Sequence, residues 1–544
     1  MTASGLPAMV HADGIQKYRQ TTFAGYDHTL GADNGALWDM ENLTGELYPL
    51  LSPRRPRWVA GKLSKPNGLY AHDGLYWVDG EGFYAHGERK GTVTDCRKRF
   101  ASLGAYVVIL PDRAYYNRLT GEFGSLEAEW TGAAVIRDGT FAGEEAKANT
   151  IYAAGADWGT KFRVGDAVEI SGCAVHPENN KTPIIREIDG DELRFYENVF
   201  TIGEGGDSEG AVSVNRRVPE LDFICENENR LWGCKGDTIY ASKLGDIFNW
   251  NVFDGLATDS YAVDVGSMGD FTGCCSYLGY PVFFKEEHIY KVYGSKPANF
   301  QVMGSASLGV ETGSGGSCAI AGETLFYLSR TGVCGYTGGI PQSVAAPFGT
   351  QRFREAVGGS DGTRYFVSME DQDGAWHLFI YDTRRGLWHR EDSREVVGFA
   401  WDGELYFLDG EGTLWIDGTA RSVPEEAVRE GPVTWSAEWA DFYEYSGSSS
   451  SSAAIPQEKG IGKLLVRLEL DEEAQVDILI QFDSDGVWQL VRSLDAHTKR
   501  SWYLPVVPRR CDHFRLRMEG TGGCRVYSLT REVYAGSELK GDGA

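Results

Sequence analysis

Gly68-Leu-Tyr-Ala-His-Asp-Gly-Leu-Tyr-Trp77, followed by Val78-Asp-Gly-Glu-Gly-Phe83, decides the fold of this chain. Some 330 residues later the same phrase returns as Phe399-Ala-Trp-Asp-Gly-Glu-Leu-Tyr-Phe407 and Leu408-Asp-Gly-Glu-Gly-Thr-Leu-Trp415. Each copy is an aromatic run, an Asp-Gly turn and a second aromatic run. Asp-Gly supplies the positive φ of a tight hairpin, so each copy predicts antiparallel strands. A lone hairpin cannot bury its apolar face, whereas hairpins in series bury it against one another, so repetition predicts a β-propeller.

Working outward, blade-like pairs occupy about 66–90 and 98–126 and resume at Leu221, as in Arg230-Leu-Trp-Gly-Cys-Lys-Gly-Asp-Thr-Ile-Tyr-Ala-Ser242. Later copies lie around Pro281–Tyr293, Glu323–Tyr336, Arg364–Tyr381 and 397–422. The spacing, about 40 to 50 residues, is that of propeller repeats and predicts six or seven blades. Residues 128–216 break the pattern: Phe162–Gly172 and Leu193–Phe200 alternate strongly and predict a small barrel-like insertion. After Pro424 the repeat stops. Alternating runs such as Lys463–Leu470, Val476–Phe482 and Val526–Val533 predict a β-sandwich. The expected fold is all-β: a propeller of six or seven blades, an inserted β-barrel-like domain and a C-terminal β-sandwich. Its parts are an extended N-terminal arm (1–65), first blades (66–127), the insertion (128–216), remaining blades (217–424) and the sandwich (425–544). Ser446–Ser452 reads as a loop and Lys540–Ala544 as a mobile tail.

The 544 residues carry a net charge of −26, which argues against a general nucleic-acid binder, since phosphate binding needs clustered Lys and Arg. No apolar run approaches a membrane span, and the N-terminus lacks signal-peptide order. The 10 cysteines form no Cys-x-x-Cys pair and read as small buried hydrophobes of a reducing compartment. His72 with His86, and His377 with His389, lack a third metal ligand and read as strand histidines beside tyrosines. Asp189-Gly-Asp-Glu192 and Asp483-Ser-Asp-Gly486 lack a full calcium loop and read as solvated turns. Neither a nucleophile elbow nor a phosphate-binding loop is present. The expectation is therefore no catalytic residue, no cofactor and no metal.

Two residue sets remain. Trp38, Tyr48, Arg54, Arg55 and Arg57 lie in the proline-rich arm and are the expected contacts to a subunit or partner. The basic clusters Arg97–Arg99, Arg216–Arg217 and Arg509–Arg510 read as ordinary surface charge. Trp77, Trp376 and Trp415 are the aromatics a sugar would stack on if the chain were instead a carbohydrate- or receptor-binding propeller. A glycosidase, with carboxylates hidden among the turn acids, is a third and weaker alternative.

The arm reading Glu-Asn-Leu-Thr-Gly-Glu-Leu-Tyr-Pro-Leu-Leu-Ser-Pro-Arg (41–54) resembles the opening of tail proteins of tailed bacteriophages. Tyr240–Asn251 and Val282–Gly294 are similar to phage propeller proteins, and Val168–Thr182 to segments of phage virion proteins. The order of arm, interrupted propeller and sandwich resembles the tail-nozzle, or packaged-DNA stabilisation, proteins of short-tailed phages. The resemblance implies a structural, non-catalytic virion protein, made in the host cytoplasm. It implies a ring of copies, usually six, with other tail or neck proteins as partners and DNA passing through. The insertion departs from the simplest pattern of that family. On this reading, removing residues 1–60 is expected to leave a folded monomer that fails to join particles.

Overall fold

The computed structural model describes residues 15–29, 35–141, 144–196, 199–442, 459–495, 497–507 and 509–535. The expected Ser446–Ser452 loop and the tail from Lys540 lie outside them. Among the described residues the regular structure is β-strand with five short 3₁₀ turns and no α-helix. The chain divides into two compact units: Leu63–Cys318 with Gly338–Pro341, and Met1–Lys62, Ala319–Thr337 and Gln342–Ala544.

The first of these units holds four antiparallel four-stranded meanders, starting at Pro66–Ala71, Arg99–Leu103, Phe223–Asn227 and Gly273–Tyr277. Within each, the second and third strands are the buried ones. Tyr106–Leu110 is buried at four of five positions, whereas the outer strands Glu88–Thr92 and Gln301–Ala306 are largely exposed. Neighbouring meanders share cores. Tyr76, Val78 and Phe83 of the first pack with Val107, Ile109 and Tyr116 of the second, and Trp232 and Cys234 of the third pack with Phe283 of the fourth. A strand covered on both faces reads as an unbroken apolar run, which explains Tyr-Val-Val-Ile-Leu. The hairpins turn through positive φ as expected, at Asp73 (49°) and Gly80 (56°), but also at Leu278 (52°), where no Asp-Gly marks the turn.

Between the second and third meanders lies the insertion. Its six-stranded sheet runs in the order Glu169–Ser171, Asp207–Arg216, Ala128–Gly139, Lys147–Tyr152, Glu192–Phe195, Ile185–Asp189. Trp158, Ile151, Leu193 and Val212 form its core. Arg216 Nη1 and Asp166 Oδ2 form a buried ion pair within it at 2.5 Å, and Asn249 Oδ1 of the third meander accepts the Ala167 N–H at 2.8 Å, which ties the two together.

The other unit holds three further meanders and the sandwich. The meanders start at Ala319–Ala321, Phe353–Ser360 and Val396–Asp402. The sandwich pairs two five-stranded sheets. One contains Ile15–Gln20, Cys524–Ala535 and Lys459–Leu470, and the other Leu37–Glu41, Thr434–Trp439, Phe514–Thr521 and Gln475–Phe482. Alternate residues of Lys459–Leu470 turn inward, as the sequence rhythm required, and Leu464, Val466 and Leu468 are fully buried.

The arm departs from expectation. Its described residues are not a free extension. Ile15–Gln20 and Leu37–Glu41 are edge strands of the two sandwich sheets, and Trp58–Lys62 is the fourth strand of the last meander, paired with Thr413–Ile416. An extended, apolar, proline-spaced segment has unpaired N–H and C=O groups along its length, and sheet edges within its own unit satisfy them.

Candidate functional site

Two of the arm residues expected to meet a partner, Arg54 and Arg57, define a charged seam in their unit. Between its two sheet-bound strands the arm makes a small hairpin, Leu43–Thr44 against Ser52–Pro53, then runs through Arg54–Arg57 into the last meander. Arg54 Nη1 and Nη2 grip both oxygens of Glu430 at 2.6 and 3.0 Å, and its Nε donates to Asn42 Oδ1 at 2.7 Å. Arg57 donates to Asp392 Oδ2 at 2.5 Å and to Glu391 Oε2, with its guanidinium over the Phe407 ring. Arg394 bridges Asp392 and Asp409 at 3.0 Å each, and Asp409 accepts the Trp415 indole N–H at 2.7 Å.

Arg57 is 1% exposed and Arg54 7%, so their guanidiniums are committed inside the chain. This corrects the expectation that they reach a neighbour: desolvating an arginine is costly unless carboxylates meet it, and here Glu430, Glu391 and Asp392 do. Burial raises the Glu391 pKa against the pull of Arg57 and Arg54. Burial also works to raise that of Asp392, but Arg57 and Arg394 outweigh it and hold the carboxyl below its usual range. Two acids share one guanidinium, and Asp392 keeps the fuller charge. Arg55 remains exposed with Glu46 Oε2 at 3.0 Å, Tyr48 is exposed beside Arg385, and half-buried Trp38 packs on His28 under Arg515.

Two cavities flank the arm hairpin within the same unit. One, of about 570 Å³, is lined by Arg54, Arg55, Arg429 and Arg525 against Glu46, Glu430, Asp471 and Glu472 among others, a balanced set of charges. The other, of about 280 Å³, is lined by Thr44–Glu46, Thr363, Arg364, Asp382, Arg384, Arg385 and His389. The pairing of His377 with His389 separates: His377 Nε2 meets Asp371 at 2.7 Å, whereas His389 is buried against the second cavity. No sequence pattern marked Glu391, Asp392 and Glu430 as partners of the arm; adjacent acids ending a strand pattern at 391–392 were the available signal.

The three tryptophans are not brought together. Trp77 stacks on Tyr84 with centroids 5.9 Å apart, and Trp376 is half-buried on another sheet. Trp415 is 7% exposed, with its N–H engaged and Arg394 over its face, which removes it as a sugar platform. Asp483 joins Asp512 and His513 in a group with donor atoms within 4.8 Å of one another. Arg509 approaches Asp483, Ser484 Oγ lies 2.7 Å from His513 Nε2, and Lys459 donates to the Asp512 carbonyl, so the group has cationic and hydroxyl neighbours of its own. The cysteines are free thiols; the contact with Cys274 and burial push the Cys225 thiol well up, the contact with Cys318 and burial do the same to Cys275, and burial raises Cys274 against the opposing pull of Cys225.

No helix among the described residues is long and apolar enough to cross a membrane. No family model matches the chain, and no curated protein matches it. Among solved structures it is similar to U3-55K, at 6% identity over 67% of this chain and 98% of that one, with a TM-score of 0.32. The RRP9 WD40 repeats match at 7% identity over 68% and 99%, TM-score 0.32. An exo-β-1,3-galactanase from Phanerochaete chrysosporium matches at 10% identity over 57% and 94%, TM-score 0.22.

Proposed function

We propose that this chain is a structural, non-catalytic component of a bacteriophage tail or neck, assembling with copies of itself into a ring around the DNA channel. We read its seven meanders as propeller blades. The observation that carries the proposal is the arm woven back through its own unit. The chain uses its first 62 residues to supply the last strand of a meander and an edge strand to each sandwich sheet. Strands paired across hundreds of residues resist fraying from either end, which suits a part that must hold shape under load. Net charge of −26 supports the second half of the reading, since a negative lining repels phosphates and lets DNA pass without sticking. Assembly contacts then fall to exposed parts of the arm, Tyr48 and Arg55, with Trp38 at its edge. Negative-stain microscopy with mass photometry of the purified chain tests this: rings with a central hole are expected. A chain that stays monomeric at high concentration and is absent from particles would refute it.

A further inference from the structure

The smaller cavity beneath the arm hairpin has the makings of a ligand site. Three pieces of chain converge on it: Thr44–Glu46 from the arm, Thr363 and Arg364 at the start of one strand, and the Asp382–His389 turn. At about 280 Å³ it holds the equivalent of about nine waters, taking about 30 Å³ for each.

His389 is the telling residue. It is 7% exposed and lines the cavity, and neither ring nitrogen makes a hydrogen bond among the described residues. Burial, with Arg385 and Arg364 adding and Asp382 opposing, lowers its pKa to about 4. The imidazole is therefore neutral at physiological pH and offers one N–H donor and one acceptor. A donor that opens on a cavity takes its acceptor from there, and a ligand oxygen in place of water would satisfy it. The hairpin packs Gly45 directly on the ring, where no side chain fits without displacing it: a Cβ there would come within 2.9 Å of His389 Cε1.

The charges around the cavity are unevenly spent. Glu46 is paired with Arg55 at 3.0 Å, and Asp382 accepts the Arg384 backbone N–H and the Arg385 guanidinium. Arg364 lies between Asp361 and Asp417 at 2.6 and 2.8 Å. Arg384, exposed at the rim, has no side-chain ion pair among the described residues. The Thr44 hydroxyl accepts the Glu46 N–H at 3.3 Å, which leaves its own proton to donate. Each carboxylate of the cavity has a cation, and one cation and two donors are left over.

We propose that this cavity binds a small oxyanion, a carboxylate or phosphate group, with the His389 N–H and the Thr44 hydroxyl donating to its oxygens and Arg384 closing over it. The test uses the full chain carrying ¹³C-labelled histidine, titrated with inorganic phosphate and, separately, with acetate, against chloride at matched ionic strength. The expected result is a saturable shift of one histidine resonance, identified by its loss in His389→Gln. Arg384→Gln, a surface change, should weaken the apparent affinity about tenfold, the worth of one charge-assisted contact, without altering the melting temperature. Gly45→Val, whose side chain would push the ring from its place, should abolish the shift. A response to phosphate alone, acetate alone or both supports the site and identifies its anion. A His389 signal unmoved by either anion up to concentrations that saturate a millimolar site, or a shift unchanged in Arg384→Gln, would overturn it.

Discussion

Replacing Arg57 by Met is the most direct probe of the arm's role in the fold. The side chain is 1% exposed and is the contact that Glu391 and Asp392 share, with Asp392 Oδ2 2.5 Å from Nη1. Met keeps the length and the apolar contact with Phe407 but leaves two adjacent carboxylates in the interior with Arg54 and Arg394 as their only nearby cations. Breaking a buried pair by removing one partner costs about 3–5 kcal/mol, against 1 kcal/mol or less for an exposed pair. At roughly 2–4 °C per kcal/mol for a unit of this size, the melting temperature should fall by about 6–20 °C. The loss should depend on pH. Without Arg57 both acids have raised pKa values, so folding takes up protons and the penalty is greatest at alkaline pH, shrinking as pH falls through the raised values. Urea unfolding at pH 8 and pH 5, with amide exchange over Trp58–Lys62 as the local readout, measures both. A loss under about 1 kcal/mol at pH 8, or one that grows on acidification, would refute the reasoning.

Deleting residues 1–62 should give insoluble or aggregating protein, because it bares edges of both sandwich sheets and of Thr413–Ile416; a monodisperse product by size-exclusion chromatography would contradict this. Gly25→Ala should destabilise by about 1–3 kcal/mol, since its Cβ would lie 2.0 Å from the Trp388 carbonyl oxygen, whereas Gly210→Ala, with nothing within 4 Å, should be near neutral in the same calorimetric scan. His389 is buried neutral, so the unfolded chain takes up its proton first: stability should fall as pH drops from about 6.5 toward 4, by an amount of order 3 kcal/mol, and His389→Gln should flatten that part of the profile. The apolar triple Arg57→Met, Glu391→Leu, Asp392→Leu should recover most of the stability lost in Arg57→Met, as measured by the urea midpoint.

What the sequence disclosed was local. Tyr106–Leu110 is a run of apolar residues because neighbouring sheets cover both its faces, and Asp73-Gly74 marks a turn because the backbone there needs positive φ. The alternation of Lys463–Leu470 likewise follows from one covered face. The arm was legible as extended chain, and its destination was not. Trp58–Lys62 carries no mark of its pairing with Thr413–Ile416, because backbone hydrogen bonds are indifferent to side-chain identity. Arg54–Arg57 looked like a surface cluster for the same reason: nothing within ten residues names Glu391, Asp392 or Glu430 as its partners. Trp415 belongs to the repeated aromatic phrase, as Trp77 does, but Asp409 and Arg394 enclose it, and those contacts come from residues the phrase does not contain. His389 stayed hidden because its environment is assembled from three separated segments.

The charged seam bears on why the arm sits in one place. A five-residue strand is weakly registered even with the two-residue strand Val428–Arg429 on its far side, since a slip by one residue keeps every backbone bond possible while exchanging the faces of all its side chains. Packing at Trp58–Lys62 offers little resistance to such a slip, because these residues are half-buried or exposed and none is in the core. A slip of one residue moves Arg57 by about 3.3 Å, enough to break the contacts with Glu391 and Asp392 at once. Arg54 holds the other end through a bidentate grip on Glu430, which also accepts the Arg57 backbone N–H at 3.0 Å. Apolar side chains in the same places could match the stability, but they would tolerate a shift that paired charges do not. Register of this strand therefore depends on ionic contacts made just before it.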